Sequence, residues 1–274
     1  MAGLPANWKK WVLDNLLRGV PATEIHQRVV DEGFSHCAVV PLLGANLPAD
    51  FRYAYDADYF QRLSQPAFVR DSACQINASQ ITDYSSPSAQ LYTVDNLFSE
   101  QECARLCTLI SHHLRPSEIS TVQPGQTQSF RTSSTCDLHQ VEGEFGELAD
   151  KRILSLFGSG FSAGEAIQAQ HYAPGQEFKA HTDYFEPASA EYRQFASTLG
   201  QRTWTCMVYL NAVERGGQTE FAALNTTFTP KTGMAVIWNN LDKQGSINPA
   251  TLHQAHPVIN GEKVVITKWL RNLC

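Results

Sequence analysis

The chain has 274 residues, with 21 Lys and Arg against 27 Asp and Glu and a formal net charge of -6. That balance leaves no basic surface of the kind nucleic acid requires, and 43% hydrophobic content is ordinary for a folded domain with a sizeable core. No apolar run approaches the ~20 residues of a membrane span. The seven cysteines are an odd count in no disulfide or zinc spacing, so a reducing compartment, the cytoplasm, is expected.

Residues 7–19 read as a helix with Trp8, Trp11, Val12, Leu16 and Leu17 on one face. Lys9, Lys10, Asp14 and Arg18 interrupt its apolar pattern, which is not that of a secretory signal. A second helix is predicted over 22–32, between Pro21 and Gly33, and the two suggest a helix hairpin. These amphipathic helices are expected to offer a homodimer surface. Residues 35–88 mix apolar clusters with Pro, Ser, Asn and Asp and yield no order of elements. From about 89 the pattern turns to strands, at 90–94, 129–135, 166–172, 178–184, 203–211, 219–221, 226–229, 234–238, 251–258 and 263–269. Helices are predicted at 99–114 and 145–157. The partition is a helical segment at 1–46, an irregular connection at 47–88 and a mainly β domain at 89–274. That many strands with late polar ligands suits a double-stranded β-helix, a jelly-roll core with its site in the open mouth. Gly160-Phe161-Ser162-Ala163-Gly164 matches the G-x-S-x-G of serine hydrolases, but a helix precedes it and a strand follows, the reverse of what that motif needs.

The informative cluster is His181-Thr182-Asp183, then His253, then Lys263. On an extended strand, His181 and Asp183 point to one face. A histidine from a distant strand completes a 2-His-1-carboxylate face with three positions open, the arrangement of non-haem Fe(II) oxygenases. His253 and His256 are three apart and face opposite sides of a strand, so one of the two reaches the metal. A strand-borne lysine facing inward is costly unless an anion meets it.

The stretch from Tyr172, Pro174 and Gly175 through Lys179–Phe185 resembles the first metal-binding segment of the prolyl 4-hydroxylases, within the Fe(II)/2-oxoglutarate-dependent dioxygenases. Arg202, Thr205, Tyr209-Leu210-Asn211 and Gly216–Phe221 resemble that family's middle strands, and Pro230–Trp238 the strand after them. His253, Pro257, Gly261, Lys263 and Lys268-Trp269-Leu270 resemble its last hairpin. Upstream, Phe98-Ser99 with Glu102-Cys103 and the strand Arg131–Ser134 are similar more loosely. The resemblance implies that His181, Asp183 and His253 hold Fe(II), because the family places nine residues between the second histidine and its lysine. It implies that Lys263 meets the far carboxylate of 2-oxoglutarate, with Tyr172, Thr219 and Trp238 lining the same pocket. It also implies dioxygen as co-substrate, ascorbate as reductant, and succinate and CO2 as products. Asp183 argues against the related halogenases, in which that carboxylate is missing. Arg131, Ser133 and Arg202 match positions that face the substrate.

Arg271 stands where the prolyl 4-hydroxylases commonly carry a histidine. Three arginines at one mouth would suit a carboxylate, such as a free amino acid or a peptide C-terminus. Hydroxylation of a small carboxylate-bearing substrate is therefore expected. Peptidyl-prolyl hydroxylation of a protein is the alternative, and a non-catalytic jelly-roll binding module is a third.

Overall fold

The computed structural model describes residues 4–32, 34, 36–48, 51, 77–117, 131–138, 144–157, 164–187, 189–196, 200–242 and 245–271. The serine-hydrolase-like stretch 160–163 and the start of the strand predicted at 129–135 lie outside them.

Three helices open the chain: α1 (Ala6–Leu17), α2 (Ala22–Asp31) and α3 (His36–Leu43). Leu4, Val12, Ile25, Val29, Val39 and Leu43 form a cluster between them, with Trp8 and Leu16 packed against it. Leu17, expected on the same face, is instead 87% exposed. The turn after α1 closes with the Gly19 N–H on the Leu16 carbonyl and the Val20 N–H on the Asn15 carbonyl, and Gly19 takes the left-handed φ of +79° that this motif requires. The predicted hairpin is thus a three-helix unit. Its third helix was hidden by Pro41, which sits inside it.

An eight-stranded sheet runs in the order β1 (Ile81–Asp83), β2 (Leu91–Val94), β11 (Ala235–Asn239), β7 (Arg202–Tyr209), β14 (Lys263–Arg271), β5 (Gln168–Tyr172), β4 (Ser134–Asp137) and β3 (Arg115–Pro116). A four-stranded sheet faces it in the order β10 (Thr226–Phe228), β9 (Thr219–Phe221), β12 (His253–Ala255) and β6 (Phe178–His181). A short pair joins β8 (Arg215–Gly216) to β13 (Val258–Asn260). This is the expected mainly β jelly roll. Among the described residues, no helix is long and apolar enough to cross a membrane.

The central strands β7 and β14 are buried almost throughout, because both faces are covered. Trp204, Cys206, Val208, Val264, Ile266 and Leu270 point to the helix side and pack on α4 (Glu100–Ser111) and α5 (Glu144–Ser155), through Cys103, Leu106, Ile110, Ala149 and Ile153. Alternate residues, including Met207, Tyr209 and Val265, point between the sheets with Tyr172, Phe221 and Trp238. Lys268 therefore lies on the helix side, where its Nζ meets Asp150 of α5 at 2.6 Å. Helix α4 starts at a capping box: Ser99 Oγ accepts from the Glu102 N–H at 3.3 Å and Glu102 returns a carboxylate to the Ser99 N–H at 2.8 Å. Arg152 of α5 adds an ion pair to Glu102 at 2.8 Å, tying the two helices together. Cys103 and Cys107, one turn apart, are buried and half-buried, and burial raises both thiols to about 11.

Two strand boundaries differ from expectation. β6 ends at His181, so Asp183 sits on the bend beyond it. The run 251–258 breaks into β12 and β13, with a register shift between His253 and Ala255. At the β8–β13 crossing a Cβ on Gly216 would lie 2.3 Å from the Pro257 carbonyl oxygen, and φ there is +87°. Gly216→Ala is expected to cost more than about 2 kcal/mol, read from urea or thermal unfolding.

Candidate metal centre and anion pocket

His181 and His253 face each other as register partners on β6 and β12, which sets their rings 4.3 Å apart between centroids. Asp183 Oδ1 lies 3.9 Å from His181 Nε2 and 4.0 Å from His253 Nε2. One ligand atom from each residue falls within 4.8 Å of the others, the only such cluster among the described residues. His181 Nδ1 donates to the Lys179 carbonyl at 2.7 Å, and His253 Nδ1 to the Thr251 carbonyl at 2.9 Å. Each Nε2 is thereby left with its lone pair aimed at the shared point, the tautomer a metal requires. Burial and the His253 imidazole together hold His181 well below the usual histidine range. Burial pushes the Asp183 carboxyl up, but His253, His181 and Arg202 more than reverse it, and the group stays below its ordinary range. The donor set of two neutral imidazoles and one carboxylate fits Fe(II), and Phe178, stacked on His181 at 3.5 Å, and Phe221, stacked on His253 at 5.2 Å, hold the rings in place. His256 has turned away. Its Nε2 pairs with Glu220 at 2.8 Å and its side chain is 37% exposed.

Lys263 opens β14 on the inner face and is 1% exposed. Its Nζ lies 3.4 Å from Thr219 Oγ1, over the Tyr172 and Tyr209 rings at 5.2 and 5.4 Å, with no carboxylate paired to it among the described residues. Burial alone lowers it to about 7. Tyr209 donates to Thr219 Oγ1 at 2.7 Å, which leaves the threonine hydrogen free for an incoming acceptor. Tyr209 lies in the Tyr209-Leu210-Asn211 motif and is not among the expected pocket residues; the parity it shares with Thr205 on β7 is the signal in the sequence that marks it. Thr219 at Lys263 and Phe221 at His253 are two residues apart on β9, about 7 Å along the strand. That span separates an anion held by Lys263 from the metal point and suits a short diacid.

Trp238 lies beside His253. Its ring packs edge-on against His253 at 4.8 Å, and its Nε1 donates to Asn240 Oδ1 at 3.0 Å. Its side chain is on the inner face, and its register partner on β7 is Thr205.

The arginines lie at the mouth, but they are engaged. Arg131 donates to Ser133 Oγ at 3.1 Å, Thr135 Oγ1 at 3.2 Å and Gln168 Oε1 at 3.0 Å, and sits over Phe178. Arg202 makes a two-pronged pair with Glu165 at 2.6 and 2.7 Å, donates to the Asp183 carbonyl at 3.3 Å, and lies 4.0 Å over the Trp269 ring. Arg271, 4% exposed, shares Glu165 at 3.3 Å and donates from Nη2 to the Phe195 carbonyl. Burial lowers Arg271 to about 10 against the opposing pull of Glu165. The expected trio of free cations is therefore corrected. Glu165, which no spacing in the sequence marked, takes up two of them.

Two imidazoles and a carboxylate gathered at one point, with a buried lysine on the inner face of the same jelly roll, fit a non-haem iron oxygenase that uses a 2-oxo diacid. Comparison with known proteins agrees. Residues 167–271 match the 2OG-Fe(II) oxygenase superfamily. The chain is 30% identical to the probable prolyl 4-hydroxylase 10 of Arabidopsis thaliana over 68% of this chain and 69% of the relative. It is 28% identical to that plant's probable prolyl 4-hydroxylase 3 over 78% and 79%. The viral collagen prolyl hydroxylase of Paramecium Bursaria Chlorella virus-1, solved with 2OG, is 26% identical and superimposes with a TM-score of 0.52 over 66% of this chain and 94% of the other. This chain belongs to the 2OG-Fe(II) oxygenases, as a prolyl 4-hydroxylase-like dioxygenase, and its family uses Fe(II), 2-oxoglutarate and O2.

Proposed function

We propose that this protein hydroxylates a prolyl residue within a peptide or protein chain. In this reading His181, Asp183 and His253 hold the iron. Lys263 meets the far carboxylate of 2-oxoglutarate, with Thr219 donating its hydroxyl and Tyr172 and Tyr209 walling the ammonium. Iron with 2-oxoglutarate and dioxygen supplies the oxidising chemistry, and ascorbate keeps the metal reduced. The observation that carries the substrate assignment is Glu165 between Arg202 and Arg271. A free amino acid would have to present a carboxylate to this mouth, where Glu165 already stands against Arg202 and Arg271. An uncharged peptide backbone and an apolar pyrrolidine ring need no such cation, and the relatives named above carry prolyl hydroxylase names.

One observation favours the second reading, a small carboxylate-bearing substrate. Nε and Nη1 of Arg271 are buried without a hydrogen-bond acceptor, and two guanidiniums share one carboxylate. A screen of 2-oxoglutarate consumption decides between the readings. Proline-containing peptides should stimulate turnover several-fold over the uncoupled rate, and free or capped amino acids should not. Arg271→His should keep or raise the peptide response. Stimulation by free amino acids alone, lost in Arg271→His, would replace the peptide reading with the second.

A further inference from the structure

We propose that Trp238, Asn240 and Thr205 form a one-way hydrogen-bond relay that sets the Asp183 carboxylate for metal binding, with Trp238 positioning two of the three ligands at once. The inference rests on the reading of Asp183 as an iron ligand and goes one layer outward from it.

Every link has a fixed direction. The Trp238 indole N–H can only donate, and it donates to Asn240 Oδ1 at 3.0 Å. That contact turns the Asn240 amide so that its Nδ2 faces Thr205 Oγ1 at 2.9 Å. With that acceptor position filled, the Thr205 hydroxyl sends its own hydrogen to Asp183 Oδ2 at 2.8 Å. Oδ2 is thus occupied, and Oδ1 is the oxygen left toward His181 and His253. The four side chains are buried, with Thr205 and Asn240 at 0% exposure, so water does not substitute for a missing link.

The backbone holds the relay in place. Trp238 and Thr205 are register partners on β11 and β7. The Asn240 N–H donates to the Thr203 carbonyl at 2.6 Å, and the Asn240 carbonyl accepts from the Asn248 N–H at 2.9 Å. This anchoring matters because Asp183 lies past the end of β6, on a bend, where no ladder hydrogen bond orients its side chain. The same Trp238 ring packs edge-on against His253 at 4.8 Å. One side chain of the large sheet therefore bears on a histidine by packing and on the carboxylate by the relay. None of the three residues is a ligand; each is a positioning residue.

Anaerobic Fe(II) titration and Co(II) titration of the full chain test this without turnover, the second read by the coordination-sensitive Co(II) absorption. Thr205→Val keeps the shape and removes the hydroxyl, and it should weaken metal binding about 10- to 100-fold and change the Co(II) spectrum. Thr205→Ser should restore both. Trp238→Phe keeps a ring against His253 and loses only the N–H; a loss of at least about threefold is expected, smaller because it acts through two bonds. Should Thr205→Val fail to fold, Trp238→Phe and Asn240→Asp decide the matter by the same readings. Wild-type affinity and spectrum in the folded variants would overturn the relay. Asp183→Ala separates the two ideas: undiminished metal binding there would refute the ligand assignment beneath the relay, whatever Thr205 does.

Discussion

Alanine at His181, Asp183 or His253 is expected to reduce 2-oxoglutarate turnover to background and to strip iron from the purified protein. A metal held by three side chains at the edge of a sheet loses a third of its protein bonds with each change. Even the loss of an outer hydrogen-bond partner costs 10- to 100-fold in affinity, so a decrease of at least about a hundredfold follows for a ligand itself. The sites are not equivalent in their supports. His181 and His253 each have Nδ1 tied to a carbonyl two residues earlier, a local device that survives changes elsewhere. Asp183 depends on the distant Thr205. His256→Ala should change turnover less than about twofold, since its partner is the half-exposed Glu220 on the outer side. Succinate formation with Fe(II) and ascorbate, alongside colorimetric iron content, reads both quantities. An active His253→Ala beside a dead His256→Ala would exchange the two assignments.

Strand parity and the family resemblance together carried what was legible in the sequence. On β14 the odd positions Lys263, Trp269 and Arg271 face the site and Lys268 faces the helices, as a period of two demands. Thr219 and Trp238 came instead from the family resemblance, and both are buried. Parity says which face a side chain joins and nothing of its neighbours along the strand. Partners far away in the chain were invisible for a related reason. Glu165 is 37 residues before Arg202, and no local pattern links a carboxylate in an extended stretch to a guanidinium on another strand. The bend at Asp183 and the break after Ala255 were hidden because both runs alternate like continuous strands. Helix α3 was missed through Pro41, which ordinarily argues against a helix interior.

Lys263 should reveal itself in opposite ways with and without co-substrate. Removing the ammonium leaves the far carboxylate of 2-oxoglutarate buried and unpaired, a loss of roughly 2–5 kcal/mol, or at least about 30-fold in its dissociation constant. Lys263→Met should show this by calorimetry while Fe(II) still binds, since no ligand contact is disturbed. In the absence of 2-oxoglutarate the same substitution should stabilise the fold, because a buried cation with only a threonine hydroxyl and two ring faces is replaced by an apolar chain of similar length. The pH dependence has a definite sign. The folded group titrates near 7, lowered by burial, and the unfolded one near about 10.4. Between those values the unfolded chain binds more protons, so this residue's cost is full below pH 7 and fades as pH rises toward 10. The wild-type protein should gain on Lys263→Met across that window and fall behind it most at low pH. Binding of the dianion restores the proton, so above pH 7 it should be accompanied by proton uptake and weaken with rising pH. Calorimetry in two buffers of different ionisation enthalpy measures that uptake directly. Equal heats in both buffers at pH 8, or an iron-free Lys263→Met, would remove the lysine from the role given to it.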